Sequence, residues 1–174
     1  RKIGESVLRK EDLRYIQGQG QYSDDLNKAN QLYGFFVRSQ IAHGNIIDIR
    51  TENATAFPGV VAVLTGKDFE ADGYGPVRRR AIEAAPDDYT KPAFPDTDPV
   101  AIQFPQWPMP FDKVRHVGEP IAFVVAESIA AAESGAELVE VELEELAAIV
   151  DVHQAAAPDA LTISEHAPGT IIRF

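Results

Sequence analysis

Val114–Leu143 reads VRHVGEPIAFVVAESIAAAESGAELVEVEL, and the changes of period along it decide the expected fold. Ile121 to Ala126 is an unbroken apolar run rich in β-branched residues, short enough for a strand and bounded by Gly118–Pro120 and Glu127–Ser128. It reads as a central strand. Ser128 is placed as an N-cap, and Ile129, Ala132, Ala136 and Val139 recur at helical spacing with Glu133 and Glu137 among them, which predicts a short amphipathic helix. After it the period falls to two: Val139, Val141 and Leu143 share one side, and Glu140, Glu142 and Glu144 the other. Strand, helix and strand over so short a crossover predict a parallel pair with a right-handed connection. A βαβ unit is therefore expected at the core, within an α+β (mixed α/β) fold.

The totals bound the rest. At 174 residues, 45% apolar and 25% charged, the chain is one domain's worth of ordinary globular sequence with enough length for a substantial core. A formal charge of −11 disfavours nucleic acid and anionic membranes as partners, since both require a cationic face. Arg78-Arg79-Arg80 is the one basic run, expected as a solvated loop or a contact with another polypeptide. No apolar stretch approaches the ~20 residues of a membrane span, and the opening residues are polar rather than signal-like, so a cytoplasmic protein is expected. With no cysteine, the chain has no disulfide, thiolate zinc site, cysteine nucleophile or iron–sulfur ligation of its own.

In chain order, Leu8 to Ile16 carries a short helical signal, with Leu13 and Ile16 as its apolar contacts and Gly18 as its stop. Gly18 and Gly20 do not form a dinucleotide loop, because no strand precedes them and no third glycine follows at the fingerprint spacing. Asp24 and Asp25 read as a turn with solvated side chains. Leu32–Arg38 and Ile46–Ile49 are strand candidates expected to pair, with His43 in the connection as a buried imidazole bonded to a carbonyl. Thr51 is expected to cap a brief helix through Ala56, closed by Pro58-Gly59, before a strand over Val60–Thr65. Asn53-Ala54-Thr55 is a glycosylation sequon by letter only.

From Glu70 to Phe111 the character changes, with eight of the twelve prolines in this stretch. It reads as a long loop, of the kind that serves as a lid, a binding segment or a partner contact. Gln106-Trp107-Pro108-Met109-Pro110-Phe111 holds the only tryptophan and methionine. Such a cluster suits an interface or an apolar channel wall, with Trp107 and Met109 as interface candidates, and equally suits packing on the domain's own core. Glu119, at a strand entrance, is read as a capping or salt-bridging residue, and His116 as structural. Leu146–Val152 is expected as an edge strand or turn, followed by a short helix over Asp151–Ala157; residues 159–174 read as an exit linker. Histidines 43, 116, 153 and 166 show no ligand spacing, and no nucleophile elbow or phosphate-cradling loop is present. No catalytic, cofactor-binding or metal position is assigned.

Five motifs, in order, carry a resemblance: Arg9-x-Glu11-Asp12; Gly18-x-Gly20-x-Tyr22-x-Asp24-Asp25; Phe36-Val37-Arg38-Ser39-x2-Ala42-His43; Phe57-Pro58-Gly59-Val60-x-Ala62-Val63-x-Thr65-Gly66-x-Asp68; and Val117-Gly118-Glu119-Pro120-Ile121-Ala122. Together they resemble the opening α/β hammerhead domain of the molybdopterin-binding large subunits of the xanthine dehydrogenase, aldehyde oxidase and carbon monoxide dehydrogenase family. The resemblance runs from about Ile3 to Pro158, so residues 1–158 are expected to form the hammerhead domain, with 70–111 as its Pro-rich loop and further cofactor-binding domains beyond the chain.

The resemblance implies a parent molybdenum hydroxylase. Its molybdenum–pterin cofactor would lie in other domains of the subunit, and its iron–sulfur clusters and FAD in partner domains or subunits. This chain would then have no activity by itself. The segment before the Val-x-x-Val-Gly strand lends an aromatic residue to the substrate funnel in that family, and Phe111 is its nearest match by position. The Arg-Ser-x-x-Ala-His segment is structural there. The competing expectation is a freestanding hammerhead module that docks another protein or binds a small ligand.

Overall fold

The computed structural model describes residues 3–4, 6–77 and 106–163. The Arg78–Arg80 run, residues 78–105 of the proline-rich loop, His166 and residues 164–174 of the exit segment lie outside the described residues. The chain forms two compact units, Arg1–Gln31 and Leu32–Phe174.

In the first unit, helix α1 spans Asp12–Ile16, shorter than the expected Leu8–Ile16. Arg9 Nε donates to Asp12 Oδ1 at 2.9 Å just ahead of it, and Gly18, at φ +70, turns the chain away after it. Asp24 and Asp25 lie in a 3-10 turn, Ser23–Asp25, where Asp25 Oδ2 accepts the Tyr22 N–H at 2.8 Å. That turn is the role expected of the acidic pair. No strand occurs among the described residues of this unit, so the Gly18/Gly20 pair has no nucleotide-binding context.

The second unit runs β1 (Tyr33–Arg38), β2 (Gly44–Arg50), α2 (Glu52–Thr55), β3 (Val60–Thr65), α3 (Gly66–Ala71), β4 (Lys113–Val114), β5 (Pro120–Ala126), α4 (Ile129–Glu137), β6 (Glu140–Glu145) and α5 (Val152–Ala155). Its strands make two three-stranded sheets, β1-β5-β3 and β4-β2-β6. Every pairing is antiparallel.

This topology corrects two expectations. Strand, helix and strand follow one another as β5, α4 and β6, but they do not close a parallel βαβ unit. Both flanks of β5 are occupied, by β1 (Phe36 opposite Phe123) and by β3 (Leu64 opposite Phe123), so β6 has no vacant edge there. Instead β6 pairs with β2 in the other sheet, Ile49 opposite Val141. The glutamate stripe explains the choice: a parallel strand is buried on both faces, whereas a strand with alternating charge needs an antiparallel sheet with one wet face. The second correction concerns β1 and β2, which were expected to pair and lie in different sheets. The Ser39–His43 connection carries the chain between them.

Two elements fall outside the sequence reading. Helix α3 fills the interval between the expected strand Val60–Thr65 and the loop read from Glu70, overlapping only its first two residues, and β4 forms a short ladder with β2 after that loop. The Thr65–Asp68 capping box announces α3: the Thr65 N–H and hydroxyl both donate to Asp68 Oδ2, at 2.7 and 2.6 Å.

The main core lies between the β1-β5-β3 sheet and α4. Ala54, Ala122, Val124, Ala136 and Val139 are buried together, with Val37, Val60 and Val63 packed against them. Helix α4 begins where expected, with Ser128 Oγ accepting the Ala131 N–H at 3.2 Å. At nine residues it is too short to persist alone, so its stability comes from docking. It docks through small residues, Ala132, Gly135 and Ala136, all buried.

Gly135 sets how close α4 comes to the sheet. A Cβ there would lie 2.7 Å from Val60 Cγ2 and 3.2 Å from Val124 Cγ1, both on short branched side chains that cannot swing aside. Gly→Ala in a helix interior ordinarily gains about 1 kcal/mol, and overpacking a core costs about 1–3 kcal/mol. Overpacking wins here. Gly135→Ala is expected to lower the urea unfolding midpoint, with a net loss of stability of up to about 2 kcal/mol; a raised midpoint would show that α4 has room to move.

Candidate functional site

The chain from Gln106 to Glu119 brings together the residues singled out in sequence. It is anchored at its start by a close backbone approach. A Cβ on Gly66, the first residue of α3, would collide with the Met109 carbonyl and stand 3.1 Å from the Pro110 carbonyl carbon. Only glycine admits the segment at that point. Gln106 also accepts the Val77 N–H at 2.8 Å through its carbonyl. Met109 is 7% exposed, and Trp107 and Phe111 are half-buried with ring centroids 5.2 Å apart in an edge-to-face contact. Val114 and Ile121 are fully buried beyond it.

The far end of the segment is fixed by backbone and carboxylate. Gly118 adopts φ +81, and its N–H donates to the Ser39 carbonyl at 2.8 Å. The Ser39 N–H returns a bond to the Glu119 carbonyl at 2.9 Å, and Arg38 Nη1 donates to the Gly118 carbonyl at 2.9 Å. The Glu119 carboxylate accepts the Arg115 N–H through Oε2, which is the capping role expected of it. Ser39 is 2% exposed, and its hydroxyl donates to the Ile41 carbonyl at 2.7 Å while accepting the Ile41 N–H at 3.2 Å. The Arg-Ser-x-x-Ala-His stretch thus clamps the crossing between sheets.

His43 is 5% exposed, with Nδ1 2.6 Å from the Ala147 carbonyl. That carbonyl can only accept, so Nδ1 carries the proton and the buried Nε2 is left without a partner. The backbone closes the same loop, since the Leu146 N–H donates to the His43 carbonyl at 2.9 Å. His116 is exposed with Nδ1 3.1 Å from the Val117 carbonyl. His153 sits in the first turn of α5, where Asp151 Oδ1 accepts its backbone N–H at 2.9 Å.

The wet face of the β4-β2-β6 sheet carries an ion cluster. Arg50 Nε donates to Glu140 Oε2 at 3.0 Å, and its Nη1 lies 3.3 Å from Asp48 and 3.8 Å from Glu142. The hydrogen bond and charge of Glu140 raise the Arg50 pKa above its ordinary value. An arginine stays charged at every physiological pH, so this confers no pH dependence; it offsets repulsion along the glutamate stripe.

Among the described residues no three His, Asp or Glu side chains gather where they could hold a metal ion. The described residues therefore lack the donor set of a metal centre. What the Gln106–Phe111 segment offers instead is an apolar, aromatic wall on a fixed backbone. No helix of the described residues is long and apolar enough to cross a membrane.

The family model described as "Aldehyde oxidase and xanthine dehydrogenase, a/b hammerhead domain" matches residues 17–147, and the chain belongs to that family. It is 42% identical over 149 residues to the nicotine 6-hydroxylase large subunit of Paenarthrobacter nicotinovorans, covering 86% of this chain and 16% of that protein. Quinoline 2-oxidoreductase from Pseudomonas putida 86 superposes with a TM-score of 0.75 at 33% identity, over 97% of this chain and 19% of its own. A Cu,Mo-CO dehydrogenase gives a TM-score of 0.68 at 35% identity, over 91% and 17%. The chain thus spans less than one fifth of the length of each of these three proteins.

Because Trp107 is the only tryptophan, its emission reports directly on this segment. Gly66→Ala is expected to push the Met109–Pro110 backbone outward, shifting Trp107 emission to the red and raising its quenching by acrylamide. An unchanged spectrum would show that Gly66 does not hold the segment.

Proposed function

We propose that this hammerhead domain serves a molybdenum hydroxylase large subunit as a structural and substrate-entrance element, without catalytic groups of its own. The observation that carries the reading is the Gly66–Met109 seat, which fixes an aromatic wall at Trp107 and Phe111 in a domain whose described residues gather no metal-holding cluster. In this reading residues 1–158 are the domain and 159–174 lead toward the cofactor-binding domains. Phe111 lines the funnel to the molybdenum–pterin centre. Trp107 faces a neighbouring polypeptide, while Met109, an interface candidate in sequence, is buried and in this reading holds the segment to its own domain. The bound cofactor would supply the redox chemistry, and this chain would supply position and exclusion of water. Iron–sulfur and flavin subunits complete the electron path, and the assembly is cytoplasmic.

The test uses the full-length subunit in its complex. Metal analysis is expected to find molybdenum. Phe111→Ala is expected to lower kcat/KM about tenfold at unchanged molybdenum content, the usual scale for lost apolar contact at a substrate site. A purified complex free of molybdenum would overturn the hydroxylase reading in favour of a freestanding module. Molybdenum with an unaltered kcat/KM would overturn the role of Phe111 alone.

A further inference from the structure

Among the described residues, α4 packs on one face of the β1-β5-β3 sheet. Strand alternation puts Ala122, Val124 and Ala126 toward α4 and Ile121, Phe123 and Val125 toward the opposite face, where Ile121 is already buried and Phe123 and Val125 are half-buried. On that opposite face the register aligns Phe36, Phe123 and Leu64 directly across all three strands, one large apolar residue from each. Phe36 and Phe123 touch, with ring centroids 4.5 Å apart, and the Phe123 ring lies over Gly34, where any Cβ would collide with it. The Arg38 guanidinium stacks 5.2 Å from the Phe36 ring centroid. Yet Phe36 remains 40% exposed and Leu64 42% exposed.

The charge pattern separates this face from ordinary surface. In a chain with 27 acidic residues, β1, β3 and β5 contain none, whereas β6 alone presents Glu140, Glu142, Glu144 and Glu145. A sheet face meant for water would carry some of that acidity, as the β4-β2-β6 sheet does. An aligned aromatic and aliphatic row without a carboxylate is built to be covered.

We infer that this row is the docking seat for an uncharged apolar stretch from elsewhere in the same large-subunit polypeptide. The inference rests on the reading above, in which the chain is one domain of a subunit the size of its relatives, of which it spans 16–19%. A covering segment from the same polypeptide arrives at high effective concentration, so a row of this modest size suffices.

Hydroxyl-radical footprinting of the full-length subunit, with molybdenum measured on the same sample, tests it. Phe36, Phe123 and Leu64 are expected to lose labelling, reacting as slowly as the buried Ile121, and to recover it only in urea. Labelling of Phe36 and Leu64 at rates matching their partial exposure would overturn the seat, whatever the metal content. Protection that disappears on dilution would overturn the assigned occupant in favour of a second copy. Absence of molybdenum with persistent protection would strike the hydroxylase reading while leaving an intrachain cover in place.

Discussion

The approach of α4 to β5 across Gly135 is the constraint on which the rest of this domain depends. Because a methyl group at that position would meet Val60 and Val124, the helix can lie close enough for Ala132 and Ala136 to bury themselves with Ala54, Ala122 and Val139. A core made of alanines and valines offers little apolar area per residue, so its stabilisation comes from closeness of packing. Any larger residue along the stripe would lift the helix and forfeit contacts on both sides. The same docking fixes β5 as a central strand, and with it the places left for β1 and β3.

From that centre the chain reaches the second sheet three times, at β2, β4 and β6, and polar clamps hold two places along that path. Ser39 is locked to the Gly118–Glu119 backbone where β1 leaves for β2, and His43 is tied to Leu146 and Ala147 where β6 ends. The Ser39 hydroxyl and His43 Nδ1 bond backbone partners rather than one another, which specifies geometry, while His43 Nε2 stays without a partner. Between the clamps runs the Gln106–Phe111 segment, pinned at Gly66 and at Gly118. Its aromatic side chains therefore stand on a backbone with little freedom, as a substrate entrance or a subunit contact requires.

The local chemistry of the sequence was more legible than its topology. The run Ile121–Ala126, the Ser128 cap, the glutamate alternation of β6 and the buried His43 bonded to a carbonyl are all readable from residue types and spacing. Which strands pair is decided by long-range competition for the edges of β5, and no local pattern encodes it. One clue was available: the wet stripe of β6 is incompatible with a parallel strand covered on both faces. Helix α3 was announced by Thr65 and Asp68, but it is short and runs into a proline-rich stretch, which hid its period. The seat at Gly66 could not be read at all, since its partner lies more than forty residues further along the chain.

The arrangement of strands around β5 is the claim that everything else inherits, and the absence of cysteine makes it directly measurable. Phe123→Cys can be combined in turn with Phe36→Cys, Leu64→Cys, Val141→Cys or Leu143→Cys, and each pair oxidised under mild conditions. Disulfides need Cα atoms within about 7 Å, a distance met by directly opposed strand residues and rarely by others. The account predicts rapid intrachain crosslinking with Phe36→Cys and with Leu64→Cys, and none with either β6 position. Crosslinking to Val141→Cys or Leu143→Cys in place of those two would contradict it.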